Sequence, residues 1–213
     1  MPPVIAAATL ARVGDAATRW SIVAELTLRS IVLLAPVLHL ATAVNEENEG
    51  KTYTYLWSRP VPRHALLFGK MLAVAPIIGV AAVLSLALAY GIVSLGPGDM
   101  DPAWLLRAAA GALLGVVAAS CFAIGIGALF TRHPLVVAFG YVFFGEQILP
   151  QVQAIQNIST LYHVKVIAAL PRGSGGIDGA PAGAALALVI LSAVWLGLAV
   201  WRIRQFEFGS ADG

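Results

Sequence analysis

Ala103-Trp-Leu-Leu-Arg-Ala-Ala-Ala-Gly-Ala-Leu-Leu-Gly-Val-Val-Ala-Ala-Ser-Cys-Phe-Ala-Ile-Gly-Ile-Gly-Ala-Leu-Phe130 is an apolar run whose only charge, Arg107, lies near its start. An α-helix rises about 1.5 Å per residue and bilayer hydrocarbon is about 30 Å thick, so a helix of this length crosses it. In lipid no water can bond the backbone, and a helix satisfies its own N–H and C=O groups. Four further stretches read the same way: 22–44, 65–95, 134–150 and 180–201. The runs 65–95 and 103–130 exceed the minimum and are expected to tilt or overhang, with Pro76 expected to kink the former. The run 134–150 is the shortest. The chain of 213 residues is 59% hydrophobic and 11% charged, with a mean hydropathy of +0.85. A soluble domain is about 45–50% apolar, so this surface has no place in water. The expected fold class is all-α: one polytopic transmembrane helical bundle over residues 1–213, of about five spans, with no soluble module appended.

Outward from these spans, residues 1–21 form an N-terminal segment without the basic start and long apolar stretch of a secretory signal, and too short in its apolar part to cross a membrane. Trp20, Trp57, Trp104 and Trp201 fall near expected span ends, where an indole sits well at the headgroup level. One side of the membrane collects Lys51, Arg59, Arg63, Lys70, Arg132, Arg202 and Arg204, the other Arg12, Arg19, Arg107, Lys165 and Arg172, which favours the first side as cytoplasmic. The segment 151–180 reads as an outer interfacial helix and loop. Its first part is too polar to span, yet Val152, Ile155, Ile158, Leu161 and Val164 recur about every three residues, as in a helix lying on or dipping into the outer interface. The 13 Lys and Arg are dispersed through loops and the net charge is +2, which excludes a nucleic-acid surface. Cys121 is alone, so no disulfide forms within the chain, and its place in an apolar run makes it a small packing residue.

The densest polar segment, 45–64, is Asn45-Glu-Glu-Asn-Glu-Gly-Lys-Thr-Tyr-Thr-Tyr-Leu-Trp-Ser-Arg-Pro-Val-Pro-Arg-His64, on the expected cytoplasmic face between the first two spans. Tyr53, Leu56 and Trp57 share one face of a short helix, which Pro60 and Pro62 stop before the next begins. Glu49-Gly50, Leu56-Trp-Ser-Arg-Pro-Val-Pro-Arg63 and Leu66-Leu-Phe-Gly-Lys70 together resemble the pattern of ABC-2 type ABC transporter permeases. That resemblance implies a cytoplasmic coupling helix that docks on a separate ABC ATPase subunit, with Glu46, Glu49, Gly50, Leu56, Ser58, Arg59, Pro60, Arg63 and Lys70 carrying the coupling. It also implies that ATP is bound and hydrolysed on that partner, with no cofactor or metal in this chain. The chain then pairs as a homodimer, or as a heterodimer with a second permease, in a prokaryotic inner membrane, for export. The family pattern has six spans against the five counted, and the uncounted one would precede Ile22.

Charge at membrane depth is expensive, so Glu25 and Arg29 call for a role. One turn apart, they read either as a self-neutralising i,i+4 pair or as groups on a substrate path. His39 and Glu146 are the other candidate path residues: His39 as a packed histidine or a path group, Glu146 with Gln147 as an interface pair or an outer gate. Gly111, Gly115 and Ala119, and Gly125 with Gly127, permit close helix approach within or between subunits. For an enzyme the sequence is nearly empty: it has no His-Glu-x-x-His, Gly-x-Ser-x-Gly or P-loop, and Gly173-Ser-Gly-Gly176 lacks the Gly-Lys-Ser/Thr ending of a phosphate cradle. The rival readings are a non-transporting membrane scaffold and, further off, an intramembrane enzyme using Glu25 and His39.

Overall fold

The computed structural model describes residues 15–42, 63–130, 132–152, 155–170 and 180–209, and these are helical with no strand among them. Helix α1 is Ala16–Leu40, α2 Arg63–Ser94 and α3 Pro102–Leu129. Helix α4 begins as Pro134–Gly140 and continues to residue 151; α5 is Thr160–Ala168 and α6 Pro181–Gly209. Four of them are long and apolar enough to cross a membrane: α1, Leu67–Ser94 of α2, α3, and Pro181–Ile203 of α6. The chain is thus an all-α polytopic bundle. The short run expected at 134–150 is helical but falls below that length.

Helix α3 is the axis of the bundle. Asp101 caps it by accepting the Ala103 N–H at 2.9 Å, and Pro102 fits its first turn. Its Gly and Ala residues let neighbours approach. A Cβ on Gly111 would lie 3.0 Å from the Val164 carbonyl oxygen of α5, and one on Gly115 2.6 Å from Val32 of α1 and 2.7 Å from Val164. One on Gly125 would lie 2.7 Å from the Trp195 ring of α6. The small-residue stripes therefore serve contacts within the chain. Cys121 is buried, as a packing residue is expected to be.

Two apolar clusters fix the directions of the helices. One joins Trp20, Ala108, Ala112, Ala168 and Ala184; the other joins Leu40, Leu67, Ala128, Ala138 and Ile203. So α1, α3 and α6 run one way, and α2, α4 and α5 the other. The end of α1, the start of α2 and the end of α6 gather at one end of the bundle, from which segment 43–62 leaves; we call it the loop end. At the far end the turn between α2 and α3 folds over the start of α1, where Gly98 takes φ +108 and a Cβ would sit 3.0 Å from that of Ala16.

Several local expectations are corrected. The first span starts at Ala16 rather than at 22, and Trp20 is no headgroup anchor: it is buried, edge-on to Tyr90 with ring centroids 5.5 Å apart. Arg19, counted as a loop marker, is buried beside it and donates to the Pro97 carbonyl. Pro76 lies inside α2, whose helical assignment continues on both sides of it. Backbone irregularity is seen in π-helical turns at Leu28–Leu34 and Tyr141–Gly145, a feature common at functional positions.

Candidate functional site

The site is built where α4 stops and α5 starts. After Glu146–Ile148 the chain tightens into a 3-10 turn at Leu149–Gln151, and helix resumes only at Thr160. Ser159 is the N-cap of α5, its Oγ accepting the Tyr162 N–H at 3.0 Å. The Ser159 hydroxyl donates to Glu146 Oε2 at 2.6 Å, and the N–H groups of Thr160 and Leu161 donate to the same carboxylate at 3.0 Å each. A helix leaves its first N–H groups unbonded and carries partial positive charge there, and Glu146 answers both needs. It is 1% exposed. Helix α5 runs in the direction of α4, antiparallel to α3, and the Glu146 carboxylate ties its first turn to α4.

Further along α5, Lys165 Nζ lies 2.6 Å from Glu25 Oε1 on α1, and Arg29 Nη2 lies 2.6 Å from the same oxygen. Arg29 Nη1 donates to the Gln147 amide oxygen on α4. Three helices are thereby tied by one polar chain, Lys165–Glu25–Arg29–Gln147. Glu25 and Arg29 lie about 14 and 20 Å along a helix about 37 Å long, so the chain sits near mid-depth. Part of it faces outward: Arg29 is half-buried, and Ser30, Gln147 and Gln151 are exposed on the open side of α1 and α4.

Of the candidate path residues, then, Glu25 and Arg29 form the i,i+4 pair, and Glu146 adjoins their network in sequence through Gln147. His39 is not among them: it is exposed near the loop end of α1, fourteen residues beyond Glu25. Glu146 is a buried helix cap rather than an interface residue. Within 151–170 the described α-helix is Thr160–Ala168. Val152, Ile155 and Ile158 lie exposed in short turns, while Thr160–Ala168 is buried among α1, α3 and α6. Lys165, counted on the outer side, is only 8% exposed in its side chain. A lysine in an apolar helix signals an acidic partner elsewhere, and Ser159 ahead of such a run signals a cap; those were the available clues.

The coupling residues Glu46, Glu49, Gly50, Leu56, Ser58, Arg59 and Pro60 lie outside the described residues. Arg63 opens α2, and Lys70 stands half-buried two turns along it. Both are at the loop end, where Arg202 near the close of α6 joins them.

The chain matches the ABC-2 family transporter protein family over residues 21–201. It belongs to that family. No curated protein matches it. An ABC-2 chain is the membrane component of an ABC transporter rather than a catalytic subunit, its family implies association with an ABC ATPase subunit, and its helices make it a multi-pass membrane protein. The matched region contains the whole polar chain and both α4 and α5.

Proposed function

We propose that this ABC-2 chain forms one half of a transmembrane substrate path, that a second permease, identical or homologous, supplies the other half, and that a separate ATPase docks on segment 45–64 from the cytoplasm. The observation that carries the path is the polar face at mid-depth: Arg29, Ser30, Gln147 and Gln151 lie on the side of α1 and α4 that this chain leaves open. Polar side chains facing hydrocarbon are costly and rare, whereas facing a second permease across a hydrated cavity they are satisfied. Glu46, Glu49, Gly50, Leu56, Ser58, Arg59, Pro60, Arg63 and Lys70 would transmit ATPase closure. The convergence of α1, α2 and α6 at the loop end supports this, since a push on segment 45–64 reaches α1 and α2 directly, and α1 carries Glu25 and Arg29. ATP stays on the partner, export is the direction, and a prokaryotic inner membrane is the setting.

The experiment is reconstitution with the ATPase partner in liposomes. Substrate-stimulated ATP hydrolysis is expected, and Arg59→Ala or Glu49→Ala should abolish the stimulation while the complex still assembles. Unaltered stimulation in both variants would overturn the coupling assignment. A complex that assembles without any transport or stimulation in the unmodified chain would instead favour the scaffold reading.

A further inference from the structure

Arg29 and Ser30 stand in the π-helical turn of α1, and Gln147 follows directly on that of α4. Such turns are frequent at functional positions, and here both border one polar spot at mid-depth. The stretches that carry the spot, 15–42 and 132–152, are described throughout.

Charge and hydrogen-bond donors decide what the spot accepts. Lys165 Nζ and Arg29 Nη2 lie on a single oxygen, Glu25 Oε1, at 2.6 Å each, so two cations meet one carboxylate and one positive charge is left over. The Lys165 side chain is 8% exposed and that of Arg29 34%, so the excess reaches the open side through the guanidinium. Glu146, the one carboxylate of α4, is buried and turned to the start of α5, where the Ser159 hydroxyl, two N–H groups and the positive helix end take up its charge. Arg29 Nη1 donates to Gln147 Oε1, which engages the amide oxygen and leaves the amide nitrogen with its two N–H groups. The spot thus combines a net positive charge with spare donors. A guanidinium matches the paired oxygens of phosphate and carboxylate, and the attraction is stronger at membrane depth than in water. Its surroundings are apolar: Leu26 is exposed one turn before Ser30, and Phe144 and Ile148 are exposed beside Gln147.

Resting on the substrate path described above, we propose that its cargo is an anionic amphiphile, the oxyanion held by Arg29 and the Gln147 amide nitrogen and the alkyl chain lying along Leu26, Phe144 and Ile148. A free alkyl phosphate and an anionic phospholipid share this chemistry.

The test uses the full chain in phosphatidylcholine nanodiscs, first without the ATPase partner. Dodecyl phosphate, dodecanol and dodecyltrimethylammonium carry one chain and three head charges, and their binding is compared by native mass spectrometry. Dodecyl phosphate is expected to bind about tenfold more tightly than the other two, as one charge-assisted hydrogen bond provides. Arg29→Gln should remove that preference and Arg29→Lys should keep most of it. Gln147→Glu, which retains the acceptor for Arg29 while replacing the amide donors with a negative charge, should also remove it, and this variant leaves the tie between α1 and α4 in place. Phosphatidic acid added to the nanodisc displaces dodecyl phosphate if bilayer lipid is the source of the head; if it does not, a free amphiphile is the ligand, and either result supports the class. Equal binding of the three probes, or a preference for the phosphate that survives in both Arg29→Gln and Gln147→Glu, would overturn it. With the ATPase partner added, dodecyl phosphate should stimulate ATP hydrolysis. Stimulation by the ammonium probe in place of the phosphate would overturn the anionic class and leave the path standing. Arg29-dependent binding of the phosphate with no stimulation by any probe would instead overturn the path, and with it the assignment of the bound anion as cargo.

Discussion

Helix α3 and the α4–α5 segment lie against each other, yet they are held in place in opposite ways. Helix α3 is continuous, almost free of charge, and held by close approach at Gly111, Gly115 and Gly125. The α4–α5 segment is broken between residues 151 and 160 and held by a buried carboxylate at the break and a lysine further along. The difference shows where each kind of stability resides. Packing in lipid gains from small residues because backbones come close, whereas a break exposes N–H groups that only a polar side chain can satisfy.

The largest expected effect breaks the second arrangement. Glu146→Ala removes the shared acceptor at the start of α5, leaving the Ser159 hydroxyl and the Thr160 and Leu161 N–H groups buried and unbonded. At about 1–3 kcal/mol per orphaned group, with partial relaxation, destabilisation on the order of 4 kcal/mol is expected in a denaturant titration of the detergent-solubilised chain. Glu146→Gln keeps one acceptor oxygen and should lose about half as much. Equal stability of Glu146→Ala and the unmodified chain would mean that α5 is not held at its start by this carboxylate.

The first arrangement breaks at Gly115. A leucine there would drive its Cβ into Val32 and Val164 together, from two different helices. Overpacking of a filled core costs about 1–3 kcal/mol, and a collision on two sides belongs at the upper end. Gly115→Ala, which adds only the Cβ, should cost less but still be measurable by the shift in Tm. If Gly115→Leu is silent, the α1–α3–α5 contact is looser than its distances indicate.

What the sequence disclosed follows the same division. Arithmetic on length and hydropathy finds α1, α2, α3 and α6, because each is one apolar run that a 3.6-residue helix must satisfy by itself. It does not reveal how α5 is held, because the polar residues of 151–170 look unfit for a buried position until their partners are known. Those partners are remote in sequence: Lys165 meets Glu25, 140 residues away. Nothing local specifies that pairing. In the same way the i,i+4 pair of Glu25 and Arg29 is legible from spacing, whereas the bond from Arg29 to Gln147 is not. Residue 152 to 158 periodicity misled for a related reason: apolar residues three apart also arise in successive tight turns.

The pairing of Lys165 with Glu25 gives a sharper test of how the α4–α5 segment is anchored. Glu25→Gln leaves two cations, Lys165 and Arg29, without their shared carboxylate, and about 2 kcal/mol of destabilisation is expected, below the 3–5 kcal/mol of a fully buried pair because Glu25 is 18% exposed. The double change Glu25→Gln with Lys165→Met removes the uncompensated lysine as well and should recover about half of that loss, a non-additivity that distant sites do not show. Purely additive losses would mean that the two side chains contribute independently.

The smallest effect is expected at His39, and it separates the polar chain from the rest of α1. Its ring is exposed near the loop end and forms no part of the Glu25 network, so His39→Ala should change stability by less than about 0.5 kcal/mol, as for an ordinary surface position. The same substitution should leave transport intact in the reconstituted complex, whereas Arg29→Ala, on the open polar face at mid-depth, should lower it. A large transport defect in His39→Ala at unchanged stability would extend the path along α1 to its loop end, past the two turns of helix that carry no other polar side chain between Ser30 and His39.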